Sequence, residues 1–123
     1  MKKAYSFIFL IAFSLMFAGC GKNRYCRIII NTPQDNQVFN RGTLINIDAK
    51  IYDDGDAIMS ESLTVTTIPA NDTVLVLKDN EFTFEYPIHV SFTSAANTQY
   101  KIEVQALGGH GNWASKSVHV TCN

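Results

Sequence analysis

Charge is scarce in this 123-residue chain: 17% of residues are Asp, Glu, Lys or Arg, and the formal net charge is −1. No basic cluster breaks that balance, which excludes an electrostatic nucleic-acid surface. From residue 27 onward no ten-residue stretch carries helical periodicity, so a helical bundle is excluded as well. His89, His110 and His119 stand without metal-ligand spacing. Serines and threonines abound, but none sits in a nucleophile elbow or has a His/Asp partner at a recognisable spacing. Gly108-Gly109-His110-Gly111 precedes a strand-like run, whereas a phosphate cradle opens a helix. No catalytic centre and no required cofactor are expected.

What the chain does have begins at its N-terminus. Lys2 and Lys3 precede an apolar stretch from Ala4 to Ala18, interrupted by Ser6 and Ser14. That is a secretory signal in pattern, and it falls short of the roughly 20 apolar residues that cross a bilayer. Phe17-Ala18-Gly19-Cys20 resembles the bacterial lipobox, departing from it at Phe17, where leucine is usual. The resemblance implies cleavage after Gly19 and lipidation of Cys20. Two or more acyl chains anchor firmly, at about 0.8 kcal/mol per buried CH₂. The expected organisation is a signal peptide over 1–19, a lipidated tether over 20–25 and one domain over 26–123. Gly21 to Tyr25 span at most about 17 Å when extended, so the domain is expected to sit close to its membrane. From Cys20 on, the chain holds eight of the ten basic residues and all eleven acidic ones, a net charge of −3.

Beyond the tether, apolar and polar residues alternate. In Thr43–Tyr52, Ile45, Ile47, Ala49 and Ile51 face one way and Asn46, Asp48 and Lys50 the other. Tyr100, Ile102, Val104 and Ala106 repeat the pattern against Lys101, Glu103 and Gln105 within 99–106. Further strands are predicted over 28–31, 61–67, 73–78, 81–92 and 113–121 from β-branched and aromatic content. Phe82, Phe84 and Tyr86 share one face of the 81–92 run, and Pro87 inside it marks an edge position or a bulge. Turn chemistry separates the runs: Asn40-Arg41-Gly42, Asp53-Asp54-Gly55-Asp56, Asp79-Asn80 and Gly108 to Asn112. Seven short strands with such punctuation predict an all-β, antiparallel immunoglobulin/fibronectin-III-like sandwich.

Several of these segments also carry a family resemblance. Ile28-Ile29-Ile30, Phe39-Asn40-Arg41-Gly42, Asp53-Asp54-Gly55-Asp56, Tyr100 to Ala106 and Gly111-Asn112-Trp113-Ala114-Ser115 together resemble bacterial immunoglobulin-like domains. Such domains are frequent in surface and periplasmic lipoproteins of Bacteroidota. The resemblance implies a non-catalytic envelope module. Leu107-Gly108 stands where relatives carry an aspartate, so their metal site does not transfer.

Candidate sites each have two readings. Cys26 and Cys122 remain after lipidation, and an exported pair suggests a disulfide. Alternating strands would put the two at opposite ends, so a free or intermolecular pair stays open. Asp53, Asp54 and Asp56 have oxygen ligands for Ca²⁺ but are equally ordinary turn formers, and no bidentate Glu completes a loop. Tyr100 is expected to act as a tyrosine corner. Trp113 is expected to pack against the domain, with an exposed sugar platform as the other reading. Asp72-Thr73-Val74 resembles the short O-glycosylation motif of Bacteroidota, which makes Thr73 a glycan acceptor. The chain is thus expected to serve protein binding, adhesion or assembly in the cell envelope, anchored to the outer membrane on its periplasmic side. Its partners are expected to be the membrane and another envelope protein or glycan. The alternative is a carbohydrate-binding accessory lipoprotein serving a neighbouring enzyme or transporter, and solvent exposure of Phe82, Phe84, Tyr86 or Trp113 separates the two.

Overall fold

The computed structural model describes residues 25–123; the signal segment, Cys20 and most of the tether lie outside the described residues. Eight strands form: β1 (Arg27–Thr32), β2 (Gln37–Phe39), β3 (Leu44–Tyr52), β4 (Ile58–Ile68), β5 (Thr73–Asp79), β6 (Glu85–Thr93), β7 (Thr98–Gly108) and β8 (Trp113–Cys122). They make a three-stranded sheet, β1-β3-β6, facing a five-stranded one, β2-β8-β7-β4-β5. Every strand pair is antiparallel except β2 with β8.

The period-two stripes build the core. Ile45, Ile47, Ala49 and Ile51 on β3 and Tyr100, Ile102, Val104 and Ala106 on β7 are all within 2% of complete burial and share one cluster with Leu63, Val65, Ile88 and Val120. A one-residue slip of either strand would turn its whole stripe to water, so the pattern sets the register. At the start of β7 the Tyr100 hydroxyl accepts the Ala95 N–H at 2.8 Å, and its ring meets Phe92 edge-on at 5.0 Å.

Two expected elements differ. β2 adds an eighth strand inside what reads as a loop. Three residues are too few for a period, and its parallel pairing with β8 (Val38 opposite Thr121) is a long-range contact. The run predicted over 81–92 begins as a strand only at Glu85. Residues 81–84 cross from the five-stranded to the three-stranded sheet, and Thr83 touches the ladder only through a bridge to Ile58. Pro87 lies on the edge strand β6, opposite Lys50.

β1 and β2 run in the same direction, because the chain changes sheets between them without reversing. The first strand therefore begins at one pole and the last ends at the other. At the near pole lie the entry at Tyr25 and Cys26 and the turns 53–57, 80–84 and 109–112; at the far pole lie 40–43, 69–72, 94–97 and the C-terminus. The 33–36 segment crosses between the sheets part-way along, from Thr32 opposite Asp48 to Asn36, whose N–H donates to the His119 carbonyl. This corrects the tentative disulfide. Cys26 Sγ lies beside Gly108, at the end of β7, whereas Cys122 pairs with Thr98 at its start. Ten strand residues separate them, about 34 Å at 3.4 Å per residue, far beyond the roughly 7 Å a bridge allows. Both thiols are free and buried.

Two outcomes follow. Thiol titration in denaturant should find Cys26 and Cys122 both free, and reductant should leave the unfolding midpoint unchanged. Tyr100→Phe should cost about 1–2 kcal/mol by leaving the Ala95 N–H without its acceptor, read as a lower urea midpoint at unchanged m-value.

Candidate functional site

The Asp53–Asp56 turn closes β3 onto β4 at the near pole. Asp53 Oδ1 accepts the N–H groups of Gly55 and Asp56 at 2.9 and 3.0 Å. Burial works to raise this carboxyl, but those two donors, together with the Cys26 thiol and His110, hold it below its usual value. Its Oδ2 faces Cys26 Sγ at 3.8 Å. Burial first, and then the Asp53 charge, push the Cys26 thiol up to about 11, which leaves it inert. Asp54 reaches out to Arg27 at 3.7 Å, and Asp56 pairs with His110. The three carboxylates thus take three different partners. Among the described residues no group of three or more His, Cys, Asp or Glu is arranged to hold a metal ion.

His110 belongs to the 109–112 turn, which lies hard against 53–57. A Cβ on Gly109 would come within 3.1 Å of Asp56 Cβ and 3.2 Å of the Ala57 carbonyl, so a larger residue would need these neighbours to give by a few tenths of an ångström. Gly111 turns the chain at φ +81° into β8.

Around these turns the large aromatic rings are uncovered. Phe82 is 74% exposed, Phe84 61%, Trp113 58% and Tyr25 51%. Trp113, expected to pack, stands on the outer face of the five-stranded sheet next to Leu107, because its parity is opposite to that of Val118, Val120 and Cys122. Phe84 lines a shallow groove of about 450 Å³ on the other sheet, with Ile29, Lys50, Tyr52, Asp54 and Glu85. There Lys50 pairs with Glu85 and lies 5.8 Å from the Tyr52 ring centroid. Tyr86 does not join the other two rings. It packs against the core, donates its hydroxyl to Asp79 at 3.0 Å, and is pushed up to about 12 by burial and by that carboxylate.

Glu61 was not legible as a special residue. It sits on β4 at the inward parity of Leu63 and Val65 and is 1% exposed; a charge at that parity is the signal that would have found it. Its Oε2 accepts the Glu81 N–H at 3.1 Å, while Oε1 is buried with no protein hydrogen-bond partner. Burial raises its carboxyl above the usual value, with Asp79 and Glu81 adding to the effect.

At the far pole, Asn40, Arg41, Ala96, Asn97 and Asn123 surround a second shallow groove of about 460 Å³. Ser94 ties its two loops together: its N–H and hydroxyl both donate to the Thr43 carbonyl at 3.0 Å, and its carbonyl accepts the Gly42 N–H at 3.1 Å. Thr73 opens the edge strand β5, exposed and opposite Thr66.

No family model matches the chain, and no curated protein matches it. Solved structures do. Fibronectin(III)-like modules of CbhA from Clostridium thermocellum superpose with a TM-score of 0.52 at 17% identity, covering 79% of this chain and 97% of theirs. The CARDB domain of the PF1109 protein from Pyrococcus furiosus, solved in complex with di-metal ions, gives 0.54 at 11% identity over 82% of this chain and 88% of its own. The sulfur carrier protein SoxY from Chlorobium limicola f thiosulfatophilum gives 0.51 at 13%, covering 89% and 94%. At such identities the likeness is one of fold. The domain is an immunoglobulin-like, all-β sandwich of eight strands.

Glu61 carries a pH prediction. A carboxyl raised in the folded state stabilises fully only below its unfolded value of about 4.5 and loses that contribution as pH rises through the folded value. Glu61→Gln should therefore raise the urea midpoint at pH 7 relative to the parent, with the gap closing toward pH 4.

Proposed function

We propose that the chain is a lipid-anchored module of the cell envelope. In this reading residues 1–19 are removed, Cys20 carries the lipid, and the sandwich binds or assembles with another envelope protein without chemistry of its own. The observation that carries it is the separation of the two poles. The chain enters at Tyr25, so a lipid on Cys20 turns that pole toward the membrane and the opposite pole away from it. The membrane-distal groove combines the Arg41 guanidinium and the Asn40, Asn97 and Asn123 amides with nearby exposed Val38 and Leu44. Arginine beside small apolar anchors suits a protein partner. An outer-membrane location on the periplasmic side accords with residues 21–25, which hold no acidic residue.

A carbohydrate-binding accessory role draws on the exposure of Phe82, Phe84 and Trp113. Those rings do not form one row. Trp113 lies on the five-stranded sheet, Phe84 faces the groove on the three-stranded one, and Tyr86 is engaged by Asp79. The partner-protein reading stands ahead for that reason.

Photoreactive residues placed at Asn97 and at His110 of the native protein in cells test this reading. A partner should be captured from Asn97, and Arg41→Ala should lower the yield about tenfold, equivalent to about 1.4 kcal/mol. Capture solely from the 107–112 turn would overturn it.

A further inference from the structure

We infer that the near pole is itself a lipid-contacting surface, with Tyr25, Phe82, Phe84 and Trp113 resting in the headgroup region of the membrane. The inference rests on the anchoring reading above and extends it from the tether to the domain.

The first ground is the placement of the exposed rings. Among the described residues, all four exposed aromatic side chains lie at the pole where the chain enters; the exposed large apolar residues toward the far pole, Val38, Leu44 and Val74, are aliphatic. The four rings come from the entry segment, the 81–84 crossing and the first residue of β8. Trp113 and Phe84 belong to the outer faces of opposite sheets. A ligand of saccharide size meets one face, whereas a planar lipid surface meets the rim of a pole on all its sides. Aromatic rings are also the side chains that favour the membrane–water boundary.

The second ground is reach. Tyr25 is already part of the pole, and Gly21 to Tyr25 allow at most about 17 Å from Cys20. A tether this short keeps the rings at a high effective concentration beside the lipid, so contacts that are weak one by one become occupied.

Asp53, Asp54, Asp56, Asp79, Glu81 and Glu85 at this pole are met by Arg27, Lys50 and Lys78 and by Lys22 and Arg24 of the tether, so charge is close to balanced there and the aromatic contact carries the surface.

Trp113 is the only tryptophan in the chain, which makes it a built-in reporter. The acylated full chain would be extracted from membranes, its lipid on Cys20 confirmed by mass, and reconstituted in zwitterionic vesicles with brominated acyl chains. Trp113 emission should be quenched several-fold, while a Val38→Trp reporter in a Trp113→Phe background should keep its emission. Phe82→Ser with Phe84→Ser should reduce the quenching by half or more without releasing protein from the vesicles. If Cys20 carries no lipid, the anchoring reading fails and takes this inference with it. If Cys20 is acylated but Trp113 emits as it does without bromine, the anchor stands and the lipid-contacting pole is overturned. An emission change with soluble polysaccharide in place of quenching by bromine would also overturn it, in favour of a glycan surface.

Discussion

Two apolar stripes, one on β3 and one on β7, belong to opposite sheets and bury each other's company in a single core. Ile45, Ile47 and Ile51 on one side and Ile102, Val104 and Ala106 on the other are almost wholly removed from water. Each aliphatic side chain buried in this way is worth about 1.5–3 kcal/mol, and a one-residue slip of the strand would turn its whole stripe to water. The poles follow from the direction in which the strands run. Because β1 and β2 keep one heading, the entry and the C-terminus end up at opposite ends. The two remaining cysteines are held apart for the same reason.

The near pole shows how turn chemistry disposes of charge. Asp53 spends one carboxylate oxygen on the backbone of its own turn, Asp54 goes to Arg27, and Asp56 goes to His110. Each acid has a local use, so their closeness in sequence does not become convergence in space. The aromatic rings at the same pole have no such use within the described residues. Their exposure is the feature of this end of the molecule that packing leaves unexplained.

Glu61 belongs to the same economy. Where 81–84 leaves one sheet for the other, its backbone needs acceptors, as any buried N–H does. Glu61 supplies one to Glu81 from inside the sandwich, at the cost of a second oxygen that is buried and unpaired. The crossing that Glu61 supports is the segment that displays Phe82 and Phe84. A locally unfavourable group and an exposed apolar pair thus occur together, the kind of departure from consistent packing expected at functional positions.

The sequence by itself determined the class of fold, the inward faces of β3 and β7 and the turns between strands. All of these follow from alternation and from local backbone preference, which act over a few residues. Tertiary structure decided what depends on a distant neighbour. β2 exists only because β8 lies beside it, and Cys26 meets Asp53 and Gly108 rather than Cys122. Alternation in Phe82-Thr83-Phe84 looked the same as in a core strand, but the segment crosses between the sheets, touching β4 through the Thr83 bridge to Ile58, and leaves both rings exposed. Trp113 reads as core by composition and stands outside by parity with Val118 and Val120. Periodicity states which residues share a face, and only the packing of one sheet on the other states which face is dry.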